Sequence, residues 1–235
     1  MEFMLLFLQR KGQPEGDPAA FAAMGKFAGE LAGRGMLRRG APLAVEATGA
    51  RIRMRDGKAL VSDGPFAETK EVLGGFWVIE AESRAEAIEI ACRCPHAQRG
   101  IVEVHQLRFR DAVSDPGTGT PFLLAFLREP GLSDCDGAKL KEMLDFGNGL
   151  KRERRFIETA PLASDPLPAR VARHGEKIAV TDGPFAETKE GVGGYSLVRL
   201  GSRAEAIDLA TRYPHAKWGP VEVREILFFD PTGPP

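Results

Sequence analysis

Hydrophobic positions along the chain change period in a fixed order, and the order is written twice. Residues 2–9 carry Phe3, Met4, Leu5, Leu6, Phe7 and Leu8 without helical spacing, and residues 121–128 repeat the run behind a proline, which suits the first position of a strand. Asp17 and Asp136 then precede segments 18–35 and 137–154. In these, Phe21, Met24, Phe27 and Leu31, or Leu140, Met143, Phe146 and Leu150, fall three or four apart. That spacing predicts N-capped amphipathic helices laid on a sheet. A short strand is expected over 37–44, and strands 51–55 and 58–62 flank Asp56-Gly57, a strong two-residue hairpin signal. In the second copy the turn reads as His174-Gly175, with the histidine expected in the left-handed region. Gly74-Gly75 and Gly193-Gly194 lead into further strands. Ser83 and Ser202, three residues before Glu86 and Glu205, open second helices as capping boxes, and Pro95 and Pro214 close them. Strands 102–109 and 221–228 end the two copies.

The nonapeptide beginning at Asp63 and ending at Glu71 recurs unchanged from Asp182 to Glu190, an offset of 119 residues. At that offset residues 1–116 and 120–235 share 47 of 116 positions without a gap, so each half is a full copy of one fold rather than a short solenoid unit. The element order predicts an α+β chain of two tandem ferredoxin-like units, each β-α-β-β-hairpin-β-α-β, with two helices on one sheet face. The other face needs a cover, and the second copy supplies it as an intrachain pseudo-dimer, with further dimerisation open. Residues 1–112 form the first repeat, 113–119 a linker rich in Ser, Pro and Gly, and 120–235 the second repeat.

Charge narrows the function classes. Lys plus Arg (32) nearly balances Asp plus Glu (33), so the field needed for general nucleic-acid binding is missing. The apolar runs are strand-sized, short of the ~20 residues of a membrane span, and Glu2 stands where a signal peptide has a basic region. The expectation is a cytoplasmic protein that binds neither nucleic acid nor membrane. Cys92 and Cys94 become Thr211 and Tyr213 in the second copy, so no metal or redox role is assigned to them. No cofactor motif and no metal-spaced Cys/His set occurs.

Candidate chemistry lies where polar residues recur. Asp63 and Asp182 precede Gly-Pro. They either accept backbone N–H bonds in an Asx-type turn or serve as a partly buried general base at the mouth of the space between the sheets. A single helical turn after Pro65 would present Glu68 and Lys70, and in the second copy Glu187 and Lys189, to a ligand. Phe66 and Phe185 border the same site, with core anchoring as the simpler role. His96 and His215 recur just past a helix C-terminus. A charged ring there would cap free carbonyls, whereas a catalytic ring needs a carboxylate such as Asp63 or Glu68 within reach. Catalytic candidates are therefore Asp63, His96, Asp182 and His215.

The nonapeptide Asp-Gly-Pro-Phe-Ala-Glu-Thr-Lys-Glu, followed by Gly-Gly-aromatic, Ser-Arg-Ala-Glu-Ala and a final Val-Glu-Val strand, resembles the DGPF group of the YCII-related family over nearly all of both halves. The resemblance implies a dimeric α+β barrel architecture and a largely unassigned biochemistry. Relatives of that type include lyases and isomerases acting on small organic acids, and DGPF proteins are often encoded beside extracytoplasmic-function sigma factors. A small-molecule ligand handled by acid–base chemistry and a non-catalytic regulatory module are the two readings it supports. The His-Asp pair of some YCII relatives does not carry over. No histidine lies in 18–35 or 137–154, and Cys94 and Tyr213 stand where an acid is expected.

Overall fold

The computed structural model describes residues 1–11, 17–66, 71–128, 137–164, 167–183, 185 and 191–228. In the first repeat these residues form β1 (Glu2–Arg10), α1 (Pro18–Gly33), β2 (Leu37–Pro42), β3 (Ala50–Arg55), β4 (Lys58–Asp63), β5 (Glu71–Glu80), α2 (Arg84–Arg93) and β6 (Ile101–Gln106). After the short β7 (Asp111–Ala112), the second repeat gives β8 (Thr120–Arg128), α3 (Gly137–Arg152), β9 (Phe156–Pro161), β10 (Ala169–His174), β11 (Lys177–Asp182), β12 (Gly191–Leu200), α4 (Arg203–Arg212) and β13 (Val221–Glu225).

Helix starts follow the capping residues. Asp17 Oδ1 accepts from the N–H groups of Ala19 and Ala20, and Ser83 and Ser202 accept from Glu86 and Glu205. The cap expected from Asp136 lies outside the described residues. The second hairpin turns one residue later than expected. His174 pairs with Lys177, so the loop is Gly175-Glu176, and only Gly175 has positive φ (61°). Glycine in the first loop position is the chemistry of a II′ turn. Asp56 and Gly57, both at positive φ, make the I′ turn of the first copy.

Alternation along the strands sorts the core into three layers. On β1, Phe3, Leu5 and Phe7 face α1 and α2, while Met4 and Leu6 face the second sheet. On β8, Phe122, Leu124 and Phe126 face α3 and α4, while Leu123, Ala125 and Leu127 look back at the first sheet. The middle layer, with Phe76, Val78, Tyr195 and Leu197, is where the two repeats bury one another. Two tandem ferredoxin-like units thus form an intrachain pseudo-dimer with helices outside and sheets inside.

The hairpins do not stay on their own sheets. The first sheet runs β11-β10-β6-β1-β5-β2 and the second β4-β3-β13-β8-β12-β9-β7. β3 pairs antiparallel with β13 and β10 with β6, so each repeat lends its hairpin to the other. Ala50 and Ile52 complete the helix-side core of the second repeat, and Ala169 and Val171 that of the first. The element order alone placed each hairpin within its own unit. The exchange moves it across because the edge beyond β6 or β13 is the one next to the partner repeat.

Candidate functional site

The exchange decides where the repeated nonapeptide goes. Asp63 ends β4 in the second sheet and is paired with Arg203, the first residue of α4. Asp182 ends β11 in the first sheet and is paired with Arg84, the first residue of α2. Arg203 also donates to the carbonyls of Thr48 (2.7 Å) and Gly49 (2.9 Å), and Arg84 donates to that of Leu167 (3.1 Å). The two carboxylates are open to solvent, with side chains 71% and 68% exposed. They do not reach the space between the sheets that the general-base reading required. Gly64 follows because a Cβ there would sit 2.0 Å from the Glu46 carbonyl oxygen.

Beneath this surface pair lies a second cross-repeat cluster. The Arg51 guanidinium stacks 4.2 Å from the centre of the Phe66 ring and donates through Nη2 to Glu222 on β13 at 2.8 Å. Its counterpart Arg170 stacks 4.3 Å from Phe185 and donates to Glu103 on β6 (2.8 Å) and to Glu71 (2.9 Å). Phe66 is buried, as core anchoring requires. Glu68, Lys70, Glu187 and Lys189 lie outside the described residues, as does the single turn expected after Pro65. Sequence reasoning missed Arg51, Arg84, Glu103 and their copies. Their signal was available, since all three keep their identity at the 119-residue offset.

His96 and His215 turn inward and leave the helix carbonyls alone. Nε2 of His96 is bonded to the Leu8 carbonyl at 2.9 Å and Nε2 of His215 to that of Leu127 at 3.0 Å, so in each ring Nε2 carries the proton. Burial lowers both pKa values, and for His215 the nearby Arg128 and Lys139 lower it too, which keeps the rings neutral rather than imidazolium caps. Among the described residues Nδ1 of His215 has no hydrogen-bond partner. Asp63 and His96 are not brought together, for they belong to opposite sheets. Asp63 and His215 sit at opposite ends of the ten-residue α4, about 15 Å of helix.

His215 does line a cleft. About 60 Å³ of space opens between α3 and the second sheet, walled by Phe126, Leu140, Met143, Ala160 and Trp218, with Phe109 reaching in from the first repeat. Its polar residues are His215, Thr159, Arg128 and Lys139. Arg128 donates to the carbonyls of Leu162 (3.0 Å) and Gly193 (3.3 Å), and Lys139 lies 5.7 Å from the Trp218 ring.

In the first repeat an indole packs on the corresponding face of the sheet. Trp77, 7% exposed, packs edge-on to Phe7 at 4.9 Å and covers Gly40, where a Cβ would come within 2.4 Å of the indole. In the second repeat Ser196 and Thr159 hold these positions, and Tyr213, in place of Cys94, enters from the helix side against Phe126 (4.9 Å) and Phe146 (4.7 Å).

Between the sheets, Glu158 is fully buried and accepts from Tyr195 Oη (2.7 Å), Arg39 Nε (3.1 Å) and Arg110 Nη1 (3.3 Å). Arg110 also donates to Glu2 at 2.9 Å. Burial, then the Glu158 charge, pushes the Tyr195 hydroxyl pKa well up, so it stays a donor. Every member is satisfied from within, which marks this network as an interface lock rather than a reactive centre.

Facing sheets with outer helices define the class, a dimeric α+β barrel closed within one chain. The chain belongs to the YCII-related domain family, whose profile matches residues 1–109 and 124–230. It is 50% identical over 42 residues to an uncharacterised protein of Rhizobium meliloti (strain 1021), a match covering 18% of this chain and 34% of that protein, about a third of its length. A solved structure named "Putative Chlorite dismutase TA0507" aligns over 97% of this chain and 94% of its own, at 7% identity and a TM-score of 0.36. Among the described residues no helix is long and apolar enough to cross a membrane, and no three His, Cys, Asp or Glu side chains group to hold a metal.

Proposed function

We propose that this protein binds a small organic molecule in the cleft of the second repeat and moves a proton on it through His215. The observation that carries the reading is a neutral imidazole in a mostly apolar cleft. Its Nε2 proton is held by the Leu127 carbonyl, and Nδ1 is left as a base. The ring edge is thereby fixed in one tautomer, and the lowered pKa keeps Nδ1 unprotonated at neutral pH. Asp63 and Asp182 take a positioning role in this reading, as anchors that hold the exchanged hairpins to α4 and α2.

The test is a ligand-observed NMR screen of neutral and charged fragments against the full chain, followed by solvent-deuterium exchange of acidic C–H bonds in the hits. Binding that survives in the wild type and exchange that disappears in His215→Gln are expected. Hits indifferent to every cleft substitution would overturn the reading. The second reading, a non-catalytic regulatory or interaction module tied to extracytoplasmic-function sigma factor signalling, is supported by the solvent-facing cross-repeat pairs of Asp63 and Asp182, which serve assembly rather than chemistry. It gains if no fragment binds.

A further inference from the structure

We infer that β4 is a docking edge for a second copy of this chain, which pairs its own β4 antiparallel to it about a twofold at Leu60. The second sheet then runs on from one molecule into the next. β4 stands at the far edge of that sheet from β8, β12 and β9, which line the cleft, so the two sites are tested apart.

Among the described residues the two sheets end at β11 and β2 and at β4 and β7. An open edge presents unpaired N–H and C=O groups, and soluble proteins blunt it with charges, proline, bulges or short length. β2 carries Arg38 and Arg39, ends in Pro42 and shifts register between Leu37 and Arg39. β7 is only two residues long. On β11, Ile178 packs against the first-repeat core. β4 is charged only at its ends, Lys58 and Asp63, and all six of its residues are exposed. Leu60 and Val61, 49% and 46% exposed, stand on opposite faces of it. At the Leu60 position β11 has the smaller Ala179.

The hairpin fixes which backbone groups face out. A two-residue turn at Asp56-Gly57 makes Arg55 and Lys58 the closing hydrogen-bonded pair. Lys58, Leu60 and Ser62 therefore bond to β3, while Ala59, Val61 and Asp63 turn N–H and C=O outward. The next inward amide, that of Gly64, bonds to the Gly49 carbonyl at 3.1 Å. Outward groups can meet only outward groups of the partner. A twofold at Leu60 satisfies this, because Ala59 exchanges both backbone bonds with the partner's Val61 and Val61 with the partner's Ala59. It sets Leu60 against the partner's Leu60 and Lys58 against the partner's Ser62, so apolar side chains meet and like charges do not. The two lysines stand the length from Lys58 to Ser62 apart, about 13 Å of strand, beyond the screening length of about 8 Å. A twofold at Val61 would instead oppose Leu60 to Ser62 and Ala59 to Asp63, which loses the apolar contacts. Pairing at Leu60 also braces, from outside, the hairpin whose Ile52 completes the core of the second repeat.

One strand pair is a small interface, so the dimer is expected to be weak and reversible, with a micromolar Kd. The experiment is sedimentation velocity of the full chain over a dilution series from nanomolar to high micromolar. Leu60→Lys, checked for an unchanged thermal unfolding midpoint, is expected to raise Kd about tenfold or more. Ala179→Lys, the same change at the equivalent position of β11, is expected to leave it as it was. Amide exchange followed by NMR should slow at Ala59 and Val61 as concentration rises, whereas Leu60 and Ser62 are already protected in the dilute chain. With Cys92 and Cys135 changed to Ser, Leu60→Cys is expected to form an interchain disulfide on oxidation and Ser62→Cys is not. The Cα atoms of a non-hydrogen-bonded pair stand about 4.5 Å apart, within disulfide reach. A monomer at every concentration would overturn the inference. So would a dimer that survives Leu60→Lys, or one that Ala179→Lys alone abolishes.

Discussion

Arg39 and Glu158 occupy the same position of the two repeats, 119 residues apart, and are bonded to each other at 3.1 Å between the packed sheets. In a dimer of identical chains, a residue so close to the twofold would face its own copy. Covalent linkage removed that constraint and allowed one copy to carry the cation and the other the anion. Glu158→Ala leaves Arg39, Arg110 and the Tyr195 hydroxyl in a dry interface and is expected to cost about 3–5 kcal/mol in urea unfolding. Exchanging the charges, Arg39→Glu with Glu158→Arg, is expected to restore little, because Arg110 and Tyr195 are placed to donate to a carboxylate at position 158. A double exchange as stable as the wild type would refute the lock.

Ile52 belongs by sequence to the first repeat and by packing to the core of the second. Ile52→Ala is expected to cost about 2–4 kcal/mol. Hydrogen exchange should rise first in β13 and α4, while β1 and β5 change less. Loss of protection confined to the first sheet would contradict the exchanged arrangement.

Stability should fall on both sides of neutrality, for different groups. Burial pushes the Cys94 thiol up to about 11 from 9.0 and the Tyr213 hydroxyl to about 12 from 10.0. Raised acids keep their protons in the folded state, so their contribution is complete below pH 9 and declines as pH rises toward 11 and beyond, by about 2–3 kcal/mol for each group. His96 and His215 have lowered pKa values, so their contribution is present above 6.5 and is lost as pH falls below it. Cys94→Ala and Tyr213→Phe should flatten the alkaline limb in denaturation series, and His96→Gln/His215→Gln the acid limb. An unchanged alkaline limb in both single variants would remove the attribution.

The packing of Trp77 over Gly40 predicts an epistatic pair. Gly40→Thr, which installs the residue of the second repeat, drives a side chain into the indole and should cost about 1–3 kcal/mol. Adding Trp77→Ser should recover part of the loss, since Thr159 and Ser196 already coexist at these positions in the other copy. A purely additive double-mutant cycle would argue against direct contact.

The aspartates of the nonapeptide should behave as surface anchors. Asp63→Asn/Asp182→Asn removes two screened ion pairs and is expected to cost no more than about 1 kcal/mol per site. Arg203→Ala also removes donors to two backbone carbonyls and should cost more, about 1–2 kcal/mol. Thermal unfolding with ligand titration separates the cases. A collapse of binding in the aspartate variant at unchanged stability would return Asp63 and Asp182 to the chemistry.

The layers of this fold were readable because strand alternation and helix spacing report directly which face is buried, and a gapless repeat checks each assignment against its copy. The exchanged hairpins were not, since β3 and β10 carry the same alternation whichever sheet they join. Pairing partners are set by where the neighbouring edge lies in space. The turn of the second hairpin was misplaced because His174-Gly175 looks like a turn dipeptide, although the 119-residue offset carries Asp56-Gly57 to Gly175-Glu176, where strand pairing puts the loop. For the site, retention in both copies found His215 and the nonapeptide. The cleft also includes residues that differ between copies, and a search for sameness passes over Arg128, Lys139 and Thr159.

The lent hairpins also fix an order of events during synthesis. When the ribosome has made the first six strands, β3 and β4 have no sheet to join and β6 stands without its outer neighbour. That neighbour emerges only with residues 169–174, and the waiting hairpin finds its own place only when residues 221–225 follow. The nascent first half stays an unfinished object until both partner strands are made, and β13 seats the hairpin that has waited longest.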